Sequence, residues 1–167
     1  MRDDEHVADR DRDESGRPHS TRPRDALGRP LPEGSEGVPR IPDDLDLTAA
    51  ETLSCAQSLL DRGLAFNAHE VLEAAWKNCP DHEKSLWQAL AQLAVGITHV
   101  QRGNVKGAIT VLRRSSAGLA RHDNPAPHTI DVAGLVGYAD VLIDDLAAGA
   151  EISTKRLRPR LVVAPQQ

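Results

Sequence analysis

Residues 64–76 read Leu64-Ala65-Phe66-Asn67-Ala68-His69-Glu70-Val71-Leu72-Glu73-Ala74-Ala75-Trp76. This spacing predicts an amphipathic α-helix, because small and aliphatic side chains recur every three or four positions and so share one face. That core face carries Leu64, Ala68, Val71, Leu72 and Ala75. We expect the helix to cover residues 64–78 and to end before Pro80, since a residue that precedes proline disfavours helical geometry.

The opposite face of this helix combines aromatic and ionisable side chains, namely Phe66, His69, Glu70, Glu73 and Trp76. Two of the four aromatic residues of the chain therefore share one face. His69 and Glu73 are i,i+4 neighbours, so both can reach one point. An imidazole and a carboxylate one turn apart can chelate a divalent metal, and the same groups can form a structural hydrogen-bonded network.

Upstream, a capping-box spacing predicts where the first helix begins. Thr48 offers a side-chain oxygen to an early amide, and Glu51 follows three residues later. Apolar residues then recur to about Arg62, and Gly63 suits a helix end.

Downstream, the helical pattern continues through three further segments, over about 81–102, 105–121 and 129–147. Gly103 and Asn104 form a two-residue connection, glycine as a C-terminal cap and asparagine as an N-cap. No segment alternates like a half-buried strand. The predicted fold class is therefore all-α, a compact bundle of about five helices built from antiparallel hairpins.

The third helix carries a polar stripe of Gln88, Gln92 and His99 within an otherwise apolar segment. If this stripe meets the His69 face, a His/Glu/Gln cluster results. The stripe can equally be the solvent-exposed side of the helix.

The two ends differ in composition from the middle. Residues 1–47 hold 8 Lys+Arg against 13 Asp+Glu and six of the eleven prolines, so they cannot bury enough apolar surface to offset their ordering entropy. We predict a disordered mixed-charge tail over 1–46, a helical domain over 47–150, and a basic, extended C-terminal tail over 151–167.

Several classes of protein are excluded. No apolar run is long enough to span a membrane, and the N-terminus lacks the apolar core of a signal peptide. Two cysteines make no disulfide framework, and a pI near 5.8 argues against a dedicated nucleic-acid binder. We expect a cytoplasmic protein that binds neither nucleic acid nor membrane.

A weak internal repeat leaves a second architecture open. Gly63 and Gly103 lie 40 residues apart, as do Ala68 and Ala108. This resembles the hairpins of tetratricopeptide repeats, although two copies fall short of the three that a stable solenoid needs.

Three sequence blocks resemble a known family. The first runs from Phe66 to Trp76, the second contains Trp87-Gln88-Ala89-Leu90-Ala91-Gln92 and His99, and the third begins Gly103-Asn104. Together they resemble the signature of the DUF309 family of small helical bacterial and archaeal proteins. The resemblance implies a compact helical fold and carries the label of a predicted metal-dependent hydrolase.

Two functions of different classes follow. In the first, a divalent metal (Zn, Mn or Fe) is bound by His69, Glu73 and His99, Glu70 is the general base, and the residues around substrate or water are Phe66, Trp76, Gln88, Gln92 and Asn104. In the second, the chain is a non-enzymatic interaction module whose Phe66/Trp76 face holds a partner or a second copy of the chain. The expected partner is thus an unknown small molecule or the chain itself.

Overall fold

The computed structural model describes residues 23–32, 34–39, 41 and 46–165. The fold consists of five α-helices: α1 (Ala49–Asp61), α2 (Ala65–Asn78), α3 (Lys84–Gln101), α4 (Val105–Leu119) and α5 (Val132–Ala147). Over these described residues extended pairing is limited to isolated bridges. The all-α class predicted from the sequence is confirmed. None of the helices described is long and apolar enough to cross a membrane.

The helix ends follow local sequence signals. The Thr48 side chain accepts a hydrogen bond from the Glu51 amide at 3.2 Å, and Asn104 caps α4 by accepting from the Gly107 amide at 3.0 Å. Gly63 and Gly103 both have φ of +75°, the left-handed conformation that ends a helix and that glycine adopts without steric cost.

Each helix packs against the next one along the chain, and α3 lies between α2 and α4. Its side chains form the centre of the core, with Trp87, Leu90, Leu93 and Ile97 almost fully buried. A Cβ added at Gly96 would lie 2.6 Å from Cδ2 of Leu112, so α3 and α4 approach closely because this position has no side chain.

Two predicted boundaries differ from the structure. The third helix is preceded by a 3₁₀ turn over Asp81–Glu83, and the fifth by one over Pro127–Thr129, so α5 starts later than the pattern indicates. His128 and Thr129 have φ of 62° and 59°, a left-handed conformation that cannot continue a helix and that is unfavourable for a β-branched residue.

The C-terminal segment is part of the packed domain. Leu157 and Leu161 are buried in the core, and the Tyr138 hydroxyl donates to the Arg156 carbonyl oxygen at 2.6 Å. The expectation of a separate extended tail is thus corrected for residues 151–165, because two leucines spaced four apart among basic residues anchor the segment.

Residues 23–39 form a turn-rich segment, the N-terminal arm, in which residue 33 is not described. The amide of Leu31 donates to the Pro23 carbonyl at 2.7 Å, and that of Val38 donates to the Arg24 carbonyl at 2.8 Å. Residues 1–22, which open the predicted disordered tail, lie outside the described residues.

Candidate functional site

The outer face of α2 brings together the side chains that its helical spacing predicts. His69 Nε2 lies 3.0 Å from Glu73 Oε2, and Lys77 Nζ lies 3.1 Å from Glu73 Oε1. The Phe66 and His69 rings are 5.8 Å apart, centroid to centroid. Glu70 and Trp76 are half-buried on the same helix. This row is a chain of one-turn contacts along a single helix.

The surroundings of His69 favour its neutral form by lowering its pKa. Its side chain is 22% exposed, and its Nδ1 atom is buried without a hydrogen-bond partner. Burial lowers the pKa of His69, and the neighbouring Lys77 lowers it further, whereas the Glu73 carboxylate raises it by a smaller amount. A neutral imidazole is the form that can donate one hydrogen bond to Glu73 or offer a lone pair to another group.

The polar stripe of α3 does not join this row. His99 Nδ1 lies 3.2 Å from Nδ2 of Asn104, Gln88 is exposed and Gln92 is half-buried. Within the described ranges, no three His, Cys, Asp or Glu side chains converge as a metal-binding group. The structure therefore presents His69 and Glu73 as a pair, and places His99 in a separate contact at the start of α4.

The N-terminal arm lies on Phe66. The guanidinium carbon of Arg24 is 5.1 Å from the centroid of the Phe66 ring, and that of Arg102 is 5.9 Å away. A Cβ added at Gly28 would overlap this ring. The guanidinium groups of Arg24 and Arg102 therefore make cation–π contacts with the Phe66 ring. The backbone of Gly28 packs against the same ring.

Backbone oxygens of the arm are bound by side chains of the helices. Arg102 donates from Nε to the carbonyl oxygen of Leu27 at 2.8 Å, and Asn67 donates from Nδ2 to that of Pro39 at 3.2 Å. Arg24 donates to the Gly28 carbonyl at 2.6 Å and so holds the turn closed. The sequence gives little signal of this docking, because backbone carbonyls carry no side-chain pattern.

A second polar cluster lies at the other end of α2, around Glu83. This residue is 8% exposed. Its Oε1 accepts hydrogen bonds from Trp87 Nε1 at 3.2 Å and His128 Nε2 at 2.6 Å. Burial raises the pKa of Glu83, but the hydrogen bonds from His128 and Trp87, together with charge interactions with His128 and His82, outweigh it, so the net shift is downward. Glu83 is therefore a buried carboxylate.

A cavity of about 540 Å³ opens beside Glu83. Its wall is formed by residues from α1 and the segment before it, from α2 and the turn after it, from α3, and from the loop before α5. They are Asp46, Leu47, Ala49, Thr52, Val71, Ala74, Ala75, Asn78, Cys79, Pro80, Glu83, Trp87 and His128. Burial raises the pKa of the Cys79 thiol, and the Glu83 charge adds to the shift. The thiol donates to the Trp76 carbonyl at 3.3 Å.

Sequence reasoning missed this cluster, since His128 lies 45 residues beyond Glu83 in the chain. The available signal was local. Glu83 and Trp87 are i,i+4 neighbours at the start of an apolar helix, where an acidic residue beside a tryptophan indicates a buried hydrogen bond.

Comparison with known proteins gives one match. The model of DUF309, a domain of unknown function, matches residues 53–111. No curated protein and no solved structure matches the chain. The matched range contains α2, α3 and the capped start of α4, which are the elements that carry the three sequence blocks. The chain is therefore similar to the DUF309 family over residues 53–111, about a third of its length.

Proposed function

We propose that the chain is a helical interaction module whose Phe66 face binds a turn-forming, arginine-containing peptide segment. In this chain, the bound segment is its own N-terminal arm. The observation that carries the proposal is the environment of Phe66, whose ring contacts Arg24 and Gly28 of the arm and Arg102 at the end of α3. Aromatic and arginine side chains are the residue types that most often dominate binding interfaces.

The contacts define what such a segment needs. Arg102 and Asn67 bind backbone carbonyl oxygens. They therefore recognise the backbone conformation of the peptide rather than its side chains. The selective positions are an arginine over Phe66 and, four residues later, a glycine with φ of +75° against the ring. An Arg-x-x-x-Gly segment therefore fits this face.

A peptide-binding assay with the full-length chain tests this function. We expect Gly28→Ala to release the arm, because the new Cβ overlaps Phe66. A labelled synthetic peptide spanning residues 22–41 then binds the Gly28→Ala chain more tightly than the wild-type chain, whose face is occupied. Fluorescence anisotropy measures both affinities. Gly34→Ala is the matched control, since Gly34 has φ of +83° but no neighbour within 4 Å.

Adding Phe66→Ala to the Gly28→Ala chain identifies the binding face. Loss of peptide binding in this double variant supports the proposal, provided that circular dichroism shows the helices to be intact. Equal peptide affinity with and without the Phe66 ring would overturn it, and so would the absence of binding to the Gly28→Ala chain.

A divalent-metal site or metal-dependent hydrolase, as the resemblance implies, is a second candidate. The observation that favours it is the His69–Glu73 pair, with two donor atoms 3.0 Å apart on a half-buried face. Two such ligands leave the other positions of a tetrahedral ion to water or substrate, with Glu70 as the base. Elemental analysis of chain purified without an affinity tag tests it. Absence of metal, together with no thermal shift on adding Zn, Mn or Fe, would contradict it.

A further inference from the structure

We propose that the cavity beside Glu83 binds a small organic amine, whose ammonium group is held by the Glu83 carboxylate. This site is distinct from the Phe66 face, since no residue that lines the cavity contacts the N-terminal arm in the hydrogen bonds and ring contacts described above. The cavity volume of about 540 Å³ lies within the range of small-molecule sites in proteins.

The hydrogen bonds of Glu83 leave one oxygen available. Oε1 accepts from both Trp87 and His128, whereas Oε2 accepts no hydrogen bond within the part of the chain that the structure describes. The nearest basic group to Oε2 is His82 Nε2, 3.6 Å away on a side chain that is 78% exposed. Oε2 of this otherwise buried side chain can therefore accept a hydrogen bond from a ligand that supplies a donor.

The lining of the cavity favours a cation with an apolar body. Asp46 adds a second carboxylate. His128, the imidazole on the wall, is already bonded to Glu83 at 2.6 Å. Val71, Ala75 and the Trp87 ring provide apolar surface. An ammonium group would meet opposite charge here, whereas a carboxylate ligand would meet two like charges.

The backbone at one end of the cavity adopts an unfavourable conformation. His128 and Thr129 adopt φ of 62° and 59°, and the imidazole reaches Glu83 from this unfavourable backbone conformation. Strained backbone persists where the surrounding contacts fix it and is concentrated at ligand sites. The Cys79 thiol on the cavity wall donates to the Trp76 carbonyl, and the proposed binding of an amine involves no covalent bond.

Tryptophan fluorescence of the full chain tests the proposal. The chain has two tryptophans, so Trp76→Phe leaves Trp87, on the cavity wall, as the single reporter. The probes are n-butylamine and cyclohexylamine, each compared with its neutral alcohol, n-butanol or cyclohexanol, and with butyrate. We expect a saturable fluorescence change and a raised melting temperature with the amines alone. No saturable change with either amine, or an equal change with the alcohols, would overturn the proposal.

Two variants locate the site, and a third is the control. Glu83→Gln removes the charge and keeps the shape, so amine affinity should fall by about tenfold or more, as expected for a lost charge-assisted hydrogen bond. Ala74→Phe fills the cavity without touching the carboxylate and should abolish binding even if Glu83→Gln folds poorly. Asp144→Asn, an exposed position on α5, makes the same charge change elsewhere and should bind amine like the parent chain. Parent-like affinity in Ala74→Phe would overturn the proposal.

Discussion

The imidazole Nε2 of His128 lies 2.6 Å from Oε1 of Glu83, across 45 residues of sequence. This bond ties the loop before α5 to the turn that starts α3. Since Glu83 is buried and also accepts from Trp87, the two residues should be energetically coupled rather than independent.

A double-mutant cycle of Glu83→Gln and His128→Asn measures that coupling. Asparagine suits position 128 because it tolerates positive φ. We expect a coupling of about 1–2 kcal/mol in the free energy of unfolding, as for a buried bond to a charged group. Urea denaturation at pH 7 provides the values, and additivity to within about 0.3 kcal/mol would show that the bond contributes nothing.

Acid should weaken the fold through Glu83. Its pKa is lowered from the ordinary value of 4.5, so the folded chain takes up this proton less readily than the unfolded chain. The contribution of Glu83 is therefore fully present above pH 4.5 and is lost as the pH falls through the folded pKa. Between pH 6 and pH 3, urea titrations should show the wild-type chain losing more stability than Glu83→Gln. Parallel curves for the two chains would contradict this assignment.

Protonation of His69 should lower the stability of the fold at a higher pH than protonation of Glu83 does. Its pKa is lowered below the ordinary value of 6.5, mainly by burial, so the unfolded chain binds this proton first. The stability that depends on neutral His69 is complete above pH 6.5 and declines as the pH falls through the folded pKa. The advantage in unfolding free energy of wild type over His69→Gln should shrink between pH 7.5 and pH 5. An advantage that stays constant would mean that the two states protonate His69 alike.

Alanine substitutions at Gly28 and Gly34 distinguish the cost of backbone strain from the cost of losing the contact with Phe66. Both have positive φ, but only at Gly28 would a Cβ overlap the ring. Alanine at either site carries the same left-handed cost of about 1–2 kcal/mol. We expect Gly28→Ala to speed tryptic cleavage after Arg24 well beyond Gly34→Ala, with unchanged helical circular dichroism. Equal cleavage rates would show that the ring contact does not hold the arm.

Gly96 and Gly137 form a second matched pair, inside helices. A Cβ at Gly96 would lie 2.6 Å from Leu112, whereas one at Gly137 would meet nothing within 4 Å. We expect Gly96→Ala to destabilise the fold by about 1–3 kcal/mol through overpacking. Gly137→Ala on α5 should stabilise it by about 0.5–1 kcal/mol, because alanine loses less backbone entropy on folding. In thermal unfolding, the melting temperature should fall for Gly96→Ala and rise for Gly137→Ala.

The sequence predicts those features of the fold that depend on neighbours within one or two turns. The Thr48 cap, the glycines at positions 63 and 103 and the Asn104 cap are local, and the structure contains each of them. The row from Phe66 to Glu73 is likewise a matter of helical spacing. These features require no knowledge of how the helices are arranged.

The features that the sequence did not predict are contacts between distant segments. The bond from His128 to Glu83 depends on where the loop before α5 lies against the turn that starts α3. The arm contributes backbone carbonyls and a glycine to its interface, none of which has a periodic signature. Leu161, buried near the C-terminus, stands in a basic segment whose composition resembles a tail.

The N-terminal arm is covalently connected to the helical bundle, so weak contacts can keep it bound to the Phe66 face. Residues 40–48 join the arm to α1, which begins at Ala49, so docking onto Phe66 is an intramolecular event. A short linker gives an effective concentration of the order of millimolar, and a few cation–π and carbonyl contacts then suffice to keep the face covered. A free peptide with the same contacts has to exceed that local concentration, so the arm sets an affinity threshold that any competing segment must pass.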